Sequence, residues 1–468
     1  MSSDGKPVLQ KPAESVLDLI GNTPMVRVSH LDTGPCELYL KLESQNPGGS
    51  IKDRIGLEMI HAAEDEGKLK PGGTIIEATA GNTGLGLALV AAQKGYKLKL
   101  VIPDKMSRDK IMHLQALGAE VILTRSDVAK GHPEYYQDVA LRLASETPGS
   151  FFVNQFANEA NPRAHEKTTA PEIWQQMDGR IDAFIAGVGS GGTITGIGQY
   201  LKRQDPKVEI IVADPEGSIV AEAVNTGSIP NSVGSWVVEG IGEDFIPDTL
   251  DLGVVDCGIT VGDKEALMTG RDLLRKEGIL GGSSSGTLIA AALRYCREQT
   301  SLKRVVTFVC DTGNKYLNKA YNDYWMEDQG FIKRQKFGDL RDFVSRRHTD
   351  RAVVTLRPSD TLMAAYGKMK LYDVSQLPVM DEDSTLVGIL DETDILMAVK
   401  DDEEEFAHRV GDVMSRQLKT VAPTARLDDL IPIFDAGMVP IIADEANFYG
   451  LVTRIDVINY LRAGLRTQ

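Results

Sequence analysis

Between Glu14 and Met326, short runs of apolar, β-branched residues alternate with longer amphipathic stretches, and glycine-rich segments sit at the joins. The runs Thr74–Ala78, Leu98–Ile102, Glu120–Leu123, Ala183–Ala186, Glu209–Ala213 and Arg304–Val309 read as strands, with helical lengths between most of them. That rhythm predicts an α/β chain whose parallel-type sheets are covered on both faces by helices. Ligands of such sheets bind at the loops leaving the carboxyl ends of the strands. Those loops are where the glycines collect.

One segment outside the strand pattern draws attention first, Asn46-Pro47-Gly48-Gly49-Ser50-Ile51-Lys52-Asp53-Arg54. A turn runs into Ser50 at an N-cap position, and Ile51, Ile55, Leu57, Met59 and Ile60 mark the helix that follows. Lys52 falls in its first turn, where the helix dipole disfavours an ammonium and helps to keep the amine neutral, as imine formation requires. A solvated lysine beside Asp53 and Arg54 is the alternative reading of these nine residues.

Three glycine-rich loops supply polar groups. Glu77-Ala78-Thr79-Ala80-Gly81-Asn82-Thr83-Gly84 joins a strand to a helix expected to begin near Leu85. Its backbone N–H groups suit an anion such as a carboxylate, and Asn82 adds both a donor and an acceptor. Gly187-Val188-Gly189-Ser190-Gly191-Gly192-Thr193 follows the next strand, and its unobstructed amides suit a phosphate. Gly187, Gly189 and Gly192 also match a dinucleotide fingerprint with Asp214 downstream, but such a fingerprint belongs to the first strand of its unit, and here another glycine loop precedes it. Gly281-Gly282-Ser283-Ser284-Ser285-Gly286 offers hydroxyls that serve either as a helix cap or as partners of a heteroaromatic nitrogen.

A formal net charge of −16 gives no basic footprint for nucleic acid and disfavours anionic membranes. No run approaches the roughly eighteen apolar residues of a membrane span, and the first residues lack the apolar segment of a signal peptide, so a cytoplasmic location is expected. Cys36, Cys257, Cys296 and Cys310 are scattered without a Cys-x-x-Cys pair and read as buried free thiols, and no metal site is expected.

After Trp325 the chain turns polar and basic through Lys333, Arg334, Lys336, Arg341, Arg346 and Arg347, as a linker would. Beyond lies an internal repeat. Ser375–Val379 returns as Gly437–Ile441, and Gly388–Asp394 as Gly450–Asp456, which predicts two small α/β units burying a shared face. Asp401–Glu405, between the copies, reads as a solvated acidic connector.

Together these segments resemble the pyridoxal-phosphate enzymes of the tryptophan-synthase β type (fold type II), and among them the cystathionine β-synthase family. The resemblance spans about residues 14 to 330 and rests on the lysine segment at 46 to 54, Thr-Ala-Gly-Asn-Thr-Gly at 79 to 84 and Gly-Ser-Gly-Gly-Thr at 189 to 193. It rests also on Asp-Pro-Glu-Gly-Ser at 214 to 218, Val-Glu-Gly-Ile-Gly at 238 to 242 and Gly-Gly-Ser at 281 to 283. It implies two α/β subdomains, and a Schiff base between Lys52 and the cofactor. Asn82 would bond the ring hydroxyl, Gly189, Ser190, Gly191, Gly192 and Thr193 would hold the phosphate, and Ser283 would face the pyridine nitrogen. Thr79, Ala80, Gly81 and Thr83 would receive the substrate carboxylate, with Gln155 nearby in the substrate site. Glu239, Gly240 and Gly242 would lie near the second substrate, and Tyr316 near the cofactor. Ala80 and Phe156 stand where the family often has serine and tyrosine, so two hydroxyls are missing.

The resemblance implies that Lys52 removes a Cα proton, that a β-substituent leaves to give an aminoacrylate, and that a thiolate adds. Serine with homocysteine is the leading substrate pair, giving cystathionine and water, and cysteine in place of serine would release hydrogen sulfide. Cysteine synthesis or an O-acetylserine-dependent reaction is the alternative, and from another class, an inactive adenosine-ligand sensor. No haem is expected, because the short segment before residue 14 offers neither the cysteine nor the histidine that vertebrate members use. The repeat resembles a tandem CBS-domain pair, in which Thr453 and Asp456 match the ribose-contacting pattern while Asp391 replaces the usual Ser or Thr beside Asp394. Expected boundaries are 1–332 for the catalytic domain, 333–347 for the linker, and 348–402 and 408–468 for the two CBS domains. A homodimer or larger homo-oligomer is implied by the family.

Overall fold

All four residues of Ala183–Ala186 are buried, as only a central strand covered on both faces can be. The computed structural model describes residues 12–465 except 80, 105–107, 126, 129, 130, 231, 351, 401 and 402. The chain divides into two compact units, one through Asn322 and one from Asp323. Among the described residues, no helix is long and apolar enough to cross a membrane.

The first unit holds two sheets. One has six strands in the order β1 (Met25–Arg27), β2 (Glu37–Leu42), β10 (Arg304–Val309), β7 (Ala183–Ala186), β8 (Glu209–Pro215) and β9 (Cys257–Val261). All neighbours are parallel except β1 and β2. The other is fully parallel, in the order β5 (Glu120–Thr124), β4 (Lys97–Pro103), β3 (Thr74–Ala78), β6 (Ser150–Phe152). Leu38, Phe184, Ile211 and Phe308 on the larger sheet pack with Ile194 and Ile197 and with Ala290–Ala292 from the helices after the second and third glycine loops. The smaller sheet has its own core, where Ile75 and Leu100 meet Ile55, Met59 and Leu87.

Two glycines set the spacing at the junction. The helix Lys52–Asp65 and the helix Asn82–Lys94 touch backbone to backbone at Gly56 and Gly86, where an added Cβ would lie 2.8 Å from Gly86 C and 2.6 Å from Lys52 O respectively. Their N-termini are thereby held side by side. Behind the Lys52 helix, Arg54 is buried between Glu43 and Glu172 at 2.7 Å each, and the Lys41 ammonium on β2 meets Glu172 at 2.7 Å. Burying one of these charges alone would be costly; the mutual pairing offsets that cost and ties the helix to the larger sheet.

The second unit contains both repeats. Gln376–Met380 pairs antiparallel with Leu386–Asp391, and Ile441–Ala443 with Phe448–Leu451. Leu356, Leu377, Val379 and Leu390 form one core, and Leu430, Phe434, Ile442 and Val452 another. The 333–347 segment, expected as a linker, contributes Leu340 and Val344 to the second of these cores.

Candidate active site and the C-terminal repeat

The Lys52 helix starts where its hydrogen bonds can be completed. Ser50 lies two residues before it and accepts the Lys52 N–H at 3.2 Å, while Asp53 accepts the Gly48 N–H at 2.5 Å. Glycine at residue 48 leaves room for this contact, because a Cβ there would lie 2.5 Å from the Asp53 carboxylate and would displace it. Burial is the main cause that lowers the Lys52 pKa, and the electrostatic influence of Cys310, Asp311 and Glu243 acts in the opposite direction. The neutral amine expected from the helix dipole is thus favoured chiefly by loss of water.

A cavity of about 550 Å³ lies at the carboxyl ends of the strands and is lined by Lys52, Thr79, Gly81, Asn82, Thr83, Gln155, Gly189, Ser190, Gly191, Thr193, Glu239, Gly240, Gly242 and Tyr316. Two predicted site residues, Gly192 and Ser283, are not among the lining residues, although their chain neighbours Gly191, Thr193 and Ser284 are, and Ala80 lies outside the described residues.

The first loop feeds a helix that begins at Asn82, three residues earlier than expected, so Asn82 and Thr83 occupy its first turn. The Thr83 hydroxyl donates to Gln155 Oε1 at 2.7 Å, and Gln155 Nε2 donates to Glu77 Oε1 at 3.4 Å. Burial pushes the Glu77 carboxyl up to about 8. In the second loop Gly191 has φ +86°, and a Cβ on Gly189 would lie 2.7 Å from Gly240 O. Asn161 Nδ2 donates to Ser190 Oγ at 2.8 Å, and Thr193 Oγ1 lies 3.1 Å from His165 Nε2. Burial, followed by the charges of Lys52 and Arg54, drives the His165 pKa down, so the ring is neutral. Asp214, the acidic residue of the dinucleotide alternative, is buried and accepts the Ala221 N–H at 2.9 Å. It caps the following helix.

At the third loop Ser283 opens the helix Ser283–Arg297, and its Oγ accepts the Glu239 N–H at 3.1 Å. Ser284 lines the cavity, and Ser285 Oγ accepts the Cys310 N–H at 3.0 Å. The Glu239 carboxylate is held between Lys110 and Lys319, the latter at 2.7 Å. Burial works to raise its pKa, but the two ammonium groups outweigh it and hold the carboxylate ionised. Tyr316 OH donates to Asp311 Oδ2 at 2.8 Å.

Sequence reasoning missed Lys110, Lys319, Glu243 and Trp236, all of which line the cavity, and it read Cys310 there as a buried thiol only. Lys319 lies one turn beyond Tyr316 and Glu243 directly after Gly242, so proximity to predicted residues was a usable signal for those two. Lys110, on the helix between β4 and β5, carries none.

The glycine cradle, the chemistry of a buried amine with a lowered pKa, and the donors around it fit pyridoxal phosphate. Comparisons with known proteins agree. Residues 16–311 match the pyridoxal-phosphate dependent enzyme family, and residues 341–401 and 410–463 match the CBS domain. Cystathionine beta-synthase of Apis mellifera is 37% identical over 95% of this chain and 90% of its own length. The enzyme of Dictyostelium discoideum is 37% identical, with 96% and 92% covered, and that of Saccharomyces cerevisiae 33% identical, with 96% and 97% covered. The chain belongs to the cystathionine β-synthase family. Among solved structures, a hydrogen sulfide-producing enzyme from Fusobacterium nucleatum superposes with a TM-score of 0.61 at 40% identity, covering 66% of this chain and 99% of that one. O-ureido-L-serine synthase gives a TM-score of 0.62 at 33% identity over 70% and 98%. Members of this family are pyridoxal-phosphate-dependent β-replacement enzymes, and this chain carries in addition the tandem CBS domains.

In the second unit, a cavity of about 260 Å³ is lined by Thr453 and Asp456 together with Arg346, Asp373, Gln376 and Leu451. Asp456 accepts the Thr453 N–H at 2.7 Å and its hydroxyl. In the first copy Asp391 and Asp394 form a reciprocal capping box, each backbone N–H donating to the other carboxylate at 2.8–3.0 Å. The two copies therefore use the same local geometry, with Asp391 where Thr453 stands in the second.

Proposed function

We propose that the chain replaces the hydroxyl of L-serine with the thiol sulfur of L-homocysteine, giving L-cystathionine and water. The observation that carries this reading is the partly desolvated amine of Lys52 at a cavity to which all three glycine loops contribute residues. Pyridoxal phosphate supplies an electron sink for the pair left at the substrate Cα.

Lys52 holds the cofactor, then as a neutral amine takes the Cα proton, and as an ammonium gives a proton to the departing hydroxide. Gly189, Ser190, Gly191, Gly192 and Thr193 hold the phosphate, Asn82 meets the ring hydroxyl and Ser283 the ring nitrogen. A serine at that nitrogen does not enforce its protonation, which favours β-elimination over slower amino-group chemistry. Thr79, Ala80, Gly81 and Thr83 take the substrate carboxylate, with Gln155 nearby in the substrate site. Glu239, Gly240 and Gly242 border the second substrate, with Tyr316 beside the cofactor. Cysteine as first substrate releases hydrogen sulfide instead of water, a reading supported by the likeness to a hydrogen sulfide-producing enzyme. The cavity at Thr453 and Asp456 takes an adenosine-containing ligand, the carboxylate accepting from ribose hydroxyls, and the chain works as a homodimer or larger homo-oligomer.

Two measurements test this. The purified protein absorbs in the visible, and Lys52→Ala abolishes both that band and turnover. Mass-spectrometric product analysis with serine or O-acetylserine, offered homocysteine or sulfide, yields cystathionine from serine and homocysteine. Cysteine as the sole product would replace this reading with that of a cysteine synthase.

A further inference from the structure

The side-chain amide of Asn82 is gripped at both ends by charged groups. Its Nδ2 donates to Asp311 Oδ2 at 2.8 Å, and its Oδ1 accepts from the Lys315 ammonium at 2.8 Å. An ammonium can only donate and an ionised carboxylate can only accept. Rotating the amide by half a turn would set NH₂ against the ammonium and the carbonyl against the carboxylate, losing both bonds and adding two repulsions. The two charges therefore decide an orientation that an isolated asparagine leaves open.

We propose that Lys315, together with Asp311, is a positioning residue that fixes the Asn82 amide so that it offers an N–H, and not its carbonyl, to the ring hydroxyl of pyridoxal phosphate. One Nδ2 hydrogen goes to Asp311, which leaves one for the cavity that Asn82 and Lys52 both line. A donor at that oxygen favours its ionised form, whereas a carbonyl there would oppose it. Lys315 suits the task because it is held from several directions. Its Nζ also reaches Gly48 O at 3.4 Å, in the turn that precedes Lys52; burial lowers its pKa, and the attraction of Asp311 and Asp53 acts against that. Asp311 is fixed in turn by the Tyr316 hydroxyl.

This inference rests on Asn82 being the ring-hydroxyl contact, and the test separates the two claims. Holoenzyme is prepared as wild type, Asn82→Ala, Lys315→Met and the double variant, and the ratio of the cofactor's two absorbance bands is read at one fixed pH alongside its dissociation constant. Loss of one oriented hydrogen bond corresponds to about a tenfold weaker cofactor affinity, so Asn82→Ala and Lys315→Met each weaken it to that extent and shift the band ratio in the same direction. Lys315→Met adds nothing once Asn82 is absent, which a merely structural lysine would not reproduce. Lys315→Arg, which keeps the charge, moves the ratio back toward wild type. If Lys315→Met does not fold, Lys315→Gln removes the charge at similar volume and is read in its place. An unshifted ratio in Asn82→Ala overturns the assignment of Asn82 and this inference with it. A shift in Asn82→Ala without one in Lys315→Met, or an equal Lys315→Met effect in both backgrounds, overturns this inference alone.

Discussion

Beneath Thr79, the buried Glu77 keeps a proton that water would remove, because burial raises its carboxyl from the ordinary 4.5 to about 8. In the unfolded chain the same group ionises near 4.5. Between those values the folded state binds more protons than the unfolded state, so stability falls as pH rises from 4.5 toward 8 and levels off above. Glu77→Gln cannot titrate and still offers Oε1 to Gln155. The expected outcome in thermal melts at pH 5 and pH 8 is that wild type loses melting temperature between them and the variant loses less, ending the more stable at pH 8. Parallel losses would show that Glu77 is ionised in the folded protein. Lys52 owes its lowered pKa to the same physical cause, which the sequence disguises. A lysine in the first turn of a helix suggests the dipole, while the cavity it lines is walled by residues such as Cys310, Phe308 and Ile241, all remote in sequence.

At the level of elements, the contact between the Lys52 and Asn82 helices depends on two missing side chains. A Cβ at Gly86 would press on Lys52 O at 2.6 Å, and backbone cannot move aside as a flexible side chain can. Gly86→Ala therefore destabilises the first unit by about 1–3 kcal/mol and displaces the reactive amine. Denaturant titration reads the first effect, and weakened cofactor binding with kcat falling more than KM rises reads the second. Unchanged values on both would remove the glycine contact from the account. The six runs read as strands from sequence are all strands, because each is a short run rich in apolar, β-branched residues; five are largely buried, while Glu120–Thr124, at the edge of the smaller sheet, is not. The strands that sequence reasoning missed lack that pattern or disguise it. β2 contains Lys41, which reads as a surface residue but is buried against Glu172, a partner 131 positions away. β6 is three residues long, and β9 contains Gly258, which passes too close to Ala221 for any Cβ. The helix at Asn82 was placed three residues late because Gly84 is a poor helix former, and its value lies in a contact with Thr79 and Leu100 that only the fold reveals. The glycine loops at the cavity are legible in the sequence for the opposite reason: backbone that can approach a ligand needs small residues next to one another in the chain. Lys110 has no such local mark, since its partner Glu239 arrives from a distant loop.

For the whole molecule, the described cores separate cleanly between the two units: those built on the catalytic sheets draw on residues up to Val309, and those of the repeats on residues from Leu340 onward. Separate compact units unfold as separate cooperative transitions unless something couples them. A ligand that binds only one unit then raises only that unit's transition, by an amount set by its concentration relative to its dissociation constant. Calorimetry of the full chain should show two transitions. Stripping and restoring pyridoxal phosphate should move the first. An adenosine-containing ligand such as S-adenosylmethionine, at a hundredfold excess over its dissociation constant, should stabilise the second by about 2.7 kcal/mol. Asp456→Asn removes the charge that would accept ribose hydroxyls but keeps an oxygen for the Thr453 N–H, so the second unit still folds while that ligand-induced shift is lost. If Asp456→Asn retained the whole shift, the cavity at Thr453 would not be where the ligand sits. If no adenosine compound shifted the wild type either, the repeat pair would be left with assembly, rather than sensing, as its contribution to the enzyme.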